Sequence, residues 1–87
     1  MGFVYVFHGE GASFAAAVYS TVEDAKAAIV TNGMSGTLTA YPLGQTVYAH
    51  VVEEGLFKGK DSPEPRYIQR FTSAYLEHFH FVDGVLA

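Results

Sequence analysis

The sequence predicts a small α+β domain, formed by residues 1–87, in which two helices pack on a mixed or antiparallel sheet. Segments rich in β-forming residues recur along the chain, and two other segments space their apolar residues as amphipathic helices do. Apolar residues make up 49% of the chain, which is enough to fill one compact core. The predicted order of elements is β-β-α-β-α-β-β.

The chain begins with two predicted strands. Residues 3–8 are almost continuously apolar, which favours an interior strand covered on both faces. Gly9 and Gly11 interrupt this run, and we interpret them as a tight connection between strands, because glycine gives the backbone the freedom that such a turn needs. Residues 14–19 predict the second strand, although their alanines are weak β-formers.

The first predicted helix has signals at both ends. Ser20 and Glu23 are spaced as a capping box, in which the Ser20 hydroxyl accepts a hydrogen bond from the Glu23 amide. Apolar residues then recur with helical spacing from position 22 to position 29. Gly33 predicts the end of the helix, because glycine readily adopts the left-handed conformation found there.

The middle of the chain predicts a third strand and a second helix. Residues 37–41 alternate between polar and apolar side chains, and Pro42 ends the strand because proline cannot donate to a sheet ladder. In residues 46–54, valine and tyrosine recur at the spacing of a short helix that docks on a sheet. Gly55 predicts the end of that helix.

The last third of the chain predicts a loop, two strands and a turn. Residues 58–65 form the longest polar stretch and contain two prolines, which indicates a mobile surface loop. Residues 67–72 and 75–82 are rich in β-formers and predict strands. Asp83-Gly84 is a turn dipeptide, and it leaves too little chain for another substantial element.

Charge and cysteine content exclude several classes of function. The formal net charge is −4, and the five lysines and arginines are too sparse for the cationic patch that binds DNA, RNA or an anionic membrane surface. The absence of cysteine rules out a disulfide, a thiolate metal site and a thiol nucleophile. Since the sequence has neither a signal peptide nor an apolar run that could span a bilayer, we expect a cytoplasmic protein.

A catalytic interpretation begins from the first strand and does not hold. A strand that ends in His8-Gly9 is typical of the oxyanion loop of an α/β-hydrolase. However, residues 33–36 (GMSG) are one residue short of the nucleophile motif and lead into a strand, whereas the nucleophile needs a following helix. The loop at 9–11 also lacks the G-K-[ST] of a phosphate-binding loop. We assign no catalytic residues and expect a non-catalytic protein.

Three histidines are the candidate metal ligands. His78 and His80 are two residues apart on a predicted strand, so their side chains share one face. His8 is the candidate third ligand for zinc, on the condition that the first and last strands are neighbours. Glu10 or Glu77 could add a carboxylate.

The alternative interpretation needs no metal. If Phe79 and Phe81 face the core, His78 and His80 lie on the more exposed face of the last strand. We favour this interpretation because the sequence fixes no third ligand, so no cofactor is assigned and zinc is kept only as the alternative. His50 lies on the side of its helix away from the valines and is expected to be solvated.

Several strings in the chain recur in a known group of proteins. They are F-H-G at 7–9, S-G-T-L-T-x-Y-P-L at 35–43 and R-F-T-S-A-x-x-E-H-x-H at 70–80. On these strings the chain resembles a family of small bacterial domains of unknown function, and the resemblance spans nearly the whole chain. Residues 15–17 and Ala49 depart from the pattern. The resemblance implies one compact domain and no particular reaction.

The expected function is that of a small protein-binding module, such as an inhibitor or immunity-type protein, which binds a protein partner or forms a homodimer. The chain is acidic and rich in tyrosine and phenylalanine, which anchor many protein interfaces. The predicted contact surface comprises the loop at 58–65 and the exposed face of the last strands. The alternative function is a metal- or small-ligand-binding domain built on the histidines. The candidate binding residues are Glu10, Lys58, Lys60, Arg70 and Glu77.

Overall fold

The computed structural model of the protein describes residues 2–87 and confirms the α+β class. Five strands form one sheet in the order β2-β1-β3-β4-β5, and every neighbouring pair is antiparallel. The elements in chain order are β1 (Phe3–Gly9), β2 (Ala15–Tyr19), α1 (Val22–Asn32), β3 (Gly36–Pro42), α2 (Val47–Glu53), α3 (Pro65–Gln69), a 3-10 turn (Ser73–Tyr75), β4 (His78–Val82) and β5 (Val85–Leu86).

Helix α1 is capped one residue later than predicted. Its N-cap is Thr21, whose hydroxyl accepts a hydrogen bond from the Asp24 amide at 3.1 Å. The predicted pairing of Ser20 with Glu23 is therefore wrong by one position, because Thr21 and Asp24 repeat the same spacing and threonine is also a good cap. The predicted end is confirmed, since Gly33 adopts the left-handed conformation with a φ of 61°.

The main core lies between α1 and one face of the sheet. Phe7 of β1 and Leu38 of β3 are opposite each other in the antiparallel register, and both are almost completely buried. Ala25 and Ile29, one turn apart on α1, cover them, and Phe81 of β4 completes the cluster. Each large side chain buried here contributes about 2 kcal/mol to stability. This cluster holds α1 on the sheet.

The opposite face of the sheet is more open than predicted. Val6 and His8 alternate with Phe7 along β1 and so point to this face, where Val6 is half-buried and His8 is exposed. Val18, which pairs with Val6, is 63% exposed. The predicted interior position of the first strand is confirmed, because β1 lies between β2 and β3. The prediction that β1 is buried on both faces is wrong. An antiparallel sheet can have one face packed on the core and the other in contact with water.

The predicted strand at 67–72 is wrong. Helix α3 occupies Pro65–Gln69, and a turn follows it. Pro65 suits the first turn of a helix, where its missing N–H needs no partner, and Glu64 is the N-cap. The β-forming side chains of this segment pack against α2, so tertiary contacts override the local preference.

The last strand pair follows a short 3-10 turn. The hydroxyl of Thr72 caps this turn by accepting a hydrogen bond from the Ala74 amide at 3.1 Å, so β4 begins at His78 rather than at position 75. The turn at 83–84 is confirmed and leads into β5, which has only two residues.

The side chains of β4 point as the interpretation without a metal predicted. Phe81 is buried and Phe79 is half-buried against the main core, whereas His78 and His80 are exposed. None of the helices within residues 2–87 combines the length and the apolar composition needed to cross a membrane.

Candidate functional site

Helix α2 anchors a second cluster, which is made largely of aromatic side chains. The predicted helix is confirmed, and the side chain of Thr46 caps it. On its inner side Val51 is completely buried and Tyr48 is 8% exposed. His50 was expected to be solvated, which is wrong, because its ring is half-buried and contacts the ring of Phe3 edge-on at 5.4 Å. The helix therefore has packed side chains on more than one side.

Tyr48 holds the predicted loop against α2. Its hydroxyl oxygen accepts a hydrogen bond from the backbone N–H of Lys60 at 2.8 Å. The backbone at Gly59 also passes close to α2, because a Cβ there would lie 2.9 Å from the Tyr48 hydroxyl and 3.1 Å from both methyl groups of Val52, and these side chains would have to shift. The loop at 58–65 is thus fixed to the helix at Gly59 and Lys60.

Aromatic rings from three segments meet around Tyr48. The rings of Tyr67 and Phe71 contact it edge-on, at centroid distances of 5.6 and 5.4 Å. Phe71 also stacks on Tyr75 at 5.7 Å with an interplanar angle of 17°, and Phe57 lies 5.2 Å from Phe71. Since aromatic pairs contribute about 0.5–1.5 kcal/mol each beyond burial, the cluster stabilises this end of the molecule.

One side of the aromatic cluster is open and forms a groove of ≈ 830 Å³. Its walls come from the loop, α3 and the 3-10 turn. Its rings are accessible to a partner, because Tyr75 is 42% exposed and neither Tyr67 nor Phe71 is fully buried. We name it the aromatic groove, and the residues that line it are Phe57, Lys60, Ser62, Pro63, Glu64, Arg66, Tyr67, Arg70, Phe71, Thr72 and Tyr75.

Positive charge is concentrated at the aromatic groove. Residues 58–70 hold four of the five lysines and arginines and two of the nine carboxylates, which gives this segment a net charge of +2. The rest of the chain holds one cation and seven carboxylates, a net charge of −6, and the two parts together give −4. Lys60, Arg66 and Arg70 line the groove together with a single carboxylate, Glu64. The groove is a cationic region on an acidic protein.

Lys60 is directed at the groove rather than away from it. Its Nζ lies 3.9 Å from the centroid of the Tyr67 ring, which is a close cation–π contact. The other cation–π contact joins Lys26 of α1 to Phe79 at 5.3 Å, on a different part of the molecule. The ammonium group of Lys60 therefore covers one of the rings that line the groove.

The structure brings two of the five predicted binding residues together. Lys60 and Arg70 line the aromatic groove, and Lys58 lies in the same loop. Glu10 borders a smaller depression on the open face of the sheet, and Glu77 borders a third depression beside α2. Arg70 is the C-cap of α3 and not a strand residue as predicted.

The three predicted metal ligands lie on two strands that are not neighbours, His8 on β1 and the other two, His78 and His80, on β4. Strand β3 separates β1 from β4, so the condition placed on the first and last strands is not met. Thr37 stands between His8 and His80 in the register, and its hydroxyl lies 3.2 Å from the His80 Nδ1. Among residues 2–87, no group of three or more histidine, aspartate or glutamate side chains is placed to hold a metal ion.

Two of these histidines bond to backbone carbonyl groups instead. The Nε2–H of His8 donates to the Ala12 carbonyl at 2.7 Å and so braces the connection between β1 and β2. The Nδ1–H of His78 donates to the Leu76 carbonyl at 2.7 Å. Each of these two imidazoles has a local structural contact. His8 and Gly9 are the last two residues of β1, so the turn begins at Glu10 and not at the His-Gly step as predicted.

Sequence reasoning missed Arg66, Tyr67, Phe71 and Tyr75 as site residues. The three aromatic positions are four residues apart, a spacing that puts side chains on one side of a helix and equally on one face of a strand. The spacing alone could not decide between the two. The available signal was Pro65, which is typical of a helix start and argued against the predicted strand.

The comparisons with known proteins identify a family. No curated protein and no solved structure shows a detectable match to the chain. A family model covers residues 4–87, which is nearly the whole chain, and it agrees with the resemblance to domains of unknown function. The chain belongs to the family described as Domain of unknown function (DUF7710).

Proposed function

We propose that this domain is a non-catalytic protein-binding module and that the aromatic groove is its contact surface. The observation that carries the proposal is the stacked pair of Phe71 and Tyr75, in which Phe71 contacts the buried ring of Tyr48 and Tyr75 is still 42% exposed. Aromatic side chains held in this way are typical anchors of protein interfaces. The groove takes a segment of a partner protein, with an apolar or aromatic side chain placed against Tyr75.

The groove is formed before a partner arrives. Its floor is the ring cluster around Tyr48, and its loop wall is fixed by the hydrogen bond from the Lys60 N–H and by the tight approach at Gly59. A surface that is already ordered loses less conformational entropy on binding. This order supports a role in recognition.

The open shape of the groove favours a polypeptide segment. Sites for small molecules enclose most of the surface of their ligand, whereas this groove is open along one side and bordered by the turn that precedes β4. We extend the proposal to an inhibitor or immunity-type role, in which the domain neutralises the partner that it binds. The bacterial setting is what the resemblance to the family implies, and the cytoplasmic setting is a prediction from the sequence.

Site-specific cross-linking tests the proposal. A photoreactive amino acid replaces Tyr75 in one variant and Phe14 in the other, since Phe14 is an aromatic residue that is 82% exposed and lies outside the groove. We expect one host protein to be cross-linked from position 75 and not from position 14. With that protein purified, Tyr75→Ala should weaken binding by about tenfold or more, as loss of an interface anchor does, and Phe14→Ala should leave the affinity unchanged.

Three results would contradict the proposal. The first is cross-linking of the same protein from both positions. The second is an affinity that does not change in Tyr75→Ala. The third is a failure to cross-link any host protein, together with a monomer by light scattering.

A further inference from the structure

We infer that the aromatic groove selects acidic segments and that Lys60 sets this selectivity. The inference rests on the proposed function, because it names the chemistry of the partner segment that the same groove takes. It depends on two observations, the separation of charge along the chain and the position of the Lys60 ammonium group over Tyr67.

The separation of charge gives an acidic segment one place to bind. Residues 58–70 carry a net charge of +2, and the rest of the chain carries −6. An acidic segment is attracted to the groove and repelled elsewhere, so the field of the protein guides it to the rings. A basic segment would be drawn away from the groove to the remainder of the surface.

Lys60 connects recognition of charge to recognition of an aromatic side chain. In the free protein its Nζ lies over the Tyr67 ring at 3.9 Å. A partner carboxylate can draw this ammonium group away, because the new ion pair and the partner side chain that then packs on Tyr67 together replace the cation–π contact. The backbone of Lys60 stays bonded to Tyr48, so only the side chain moves. The movement uncovers the Tyr67 ring for the anchor of the partner.

Two other occupants of the groove are less favoured. Single-stranded nucleic acid combines negative charge with bases that stack on aromatic rings, but a long strand would run beyond the groove onto a surface with a net charge of −6. A second copy would have to place an acidic surface into the groove. That is a head-to-tail contact, and it joins molecules that each carry −4 and repel one another.

The test uses the full chain and three short synthetic peptides, in which tyrosine alternates with glutamate, glutamine or lysine. Binding is measured by fluorescence anisotropy of the labelled peptide. We expect the glutamate peptide to bind about tenfold more tightly than the glutamine peptide at low salt, as three exposed ion pairs would give. The lysine peptide should bind most weakly, and the preference for glutamate should shrink several-fold at physiological salt, as expected for exposed charges.

Two lysine variants locate the selectivity. Lys60→Ala should reduce the ratio of the glutamate and glutamine affinities from about tenfold to about fivefold, because one of three cations is lost. It should not weaken binding of the glutamine peptide, because the Tyr67 ring is then uncovered. Lys26→Ala is the matched control, since it also removes a lysine that lies over a ring, and it should leave the ratio unchanged.

Several results would overturn the inference. They are equal affinity for the glutamate and glutamine peptides, a ratio that does not respond to Lys60→Ala, tighter binding of a single-stranded oligothymidylate than of the glutamate peptide, or self-association of the protein through the groove. If the peptides show no preference for glutamate while a cross-linked partner still requires Tyr75, the inference fails and the proposed function stands. If neither peptide nor partner binds, both fail.

Discussion

Replacing Tyr48 with phenylalanine removes one oxygen atom and leaves the aromatic ring in place. That oxygen accepts the hydrogen bond from the Lys60 backbone N–H at 2.8 Å. The contacts of the ring with Tyr67 and Phe71 do not involve the hydroxyl group and should persist. The substitution therefore separates the attachment of the loop from the packing of the aromatic cluster.

The size of the effect follows from the burial of the two partners. A hydrogen bond contributes about 1 kcal/mol net, and up to about 3 kcal/mol is lost when its removal leaves a buried group without a partner. Tyr48 is 8% exposed and the bond is part-buried, so the loss should lie between that of an exposed hydrogen bond and that of a fully buried one. We expect the free energy of unfolding to fall by about 1–1.5 kcal/mol. For a domain of this size, the Tm should fall by about 5–10 °C.

Urea unfolding followed by circular dichroism measures this change, with Tyr19→Phe as the control because Tyr19 is a half-buried tyrosine of β2 on a different part of the molecule. A second reading comes from the peptides. With its backbone attachment lost, Lys60 should distinguish the two peptides less well. The ratio of glutamate to glutamine affinity should fall, but by less than the roughly twofold expected for Lys60→Ala. If Tyr48→Phe leaves the free energy of unfolding within a few tenths of a kcal/mol of wild type, or if Tyr19→Phe costs as much, the loop is not held as described.

Three further substitutions test the fold by the same urea titration. Gly36→Ala should cost more than about 3 kcal/mol or prevent folding, because its Cβ would clash with the backbone of β1, whereas Gly2→Ala, with open space around it, should be close to neutral. Thr21→Ala should cost about 1 kcal/mol through loss of the α1 cap, and Ser20→Ala should cost much less. Ile29→Ala should cost about 2–5 kcal/mol because it opens a cavity in the main core.

The first half of the fold could be predicted because its signals are local. The end of α1 is set by Gly33, and α2 begins at Val47, within one residue of the prediction. The one error in capping came from two candidate caps in a row, Ser20 and Thr21, each followed three residues later by an acidic side chain. Sequence spacing alone does not choose between such neighbours.

The segment at 58–75 could not be predicted in the same way. Tyr67 lies in a helix and Phe71 follows that helix, although both are β-forming residues, because both pack on Tyr48 of α2. That contact joins parts of the chain about twenty residues apart. The aromatic groove depends on this packing and on the loop, so its lining was only partly anticipated, through Lys60 and Arg70. The order of strands in the sheet, which places β3 between His8 and His80, is likewise a long-range property.

A two-dimensional NMR titration of the labelled protein with the glutamate–tyrosine peptide locates binding residue by residue. The amide signals of residues 57–75, which supply the walls of the aromatic groove, should shift on binding, and they should shift far less with the glutamine–tyrosine peptide. Shifts centred on the open sheet face around His8 and His80, or shifts spread evenly over the molecule, would contradict a binding role for the groove.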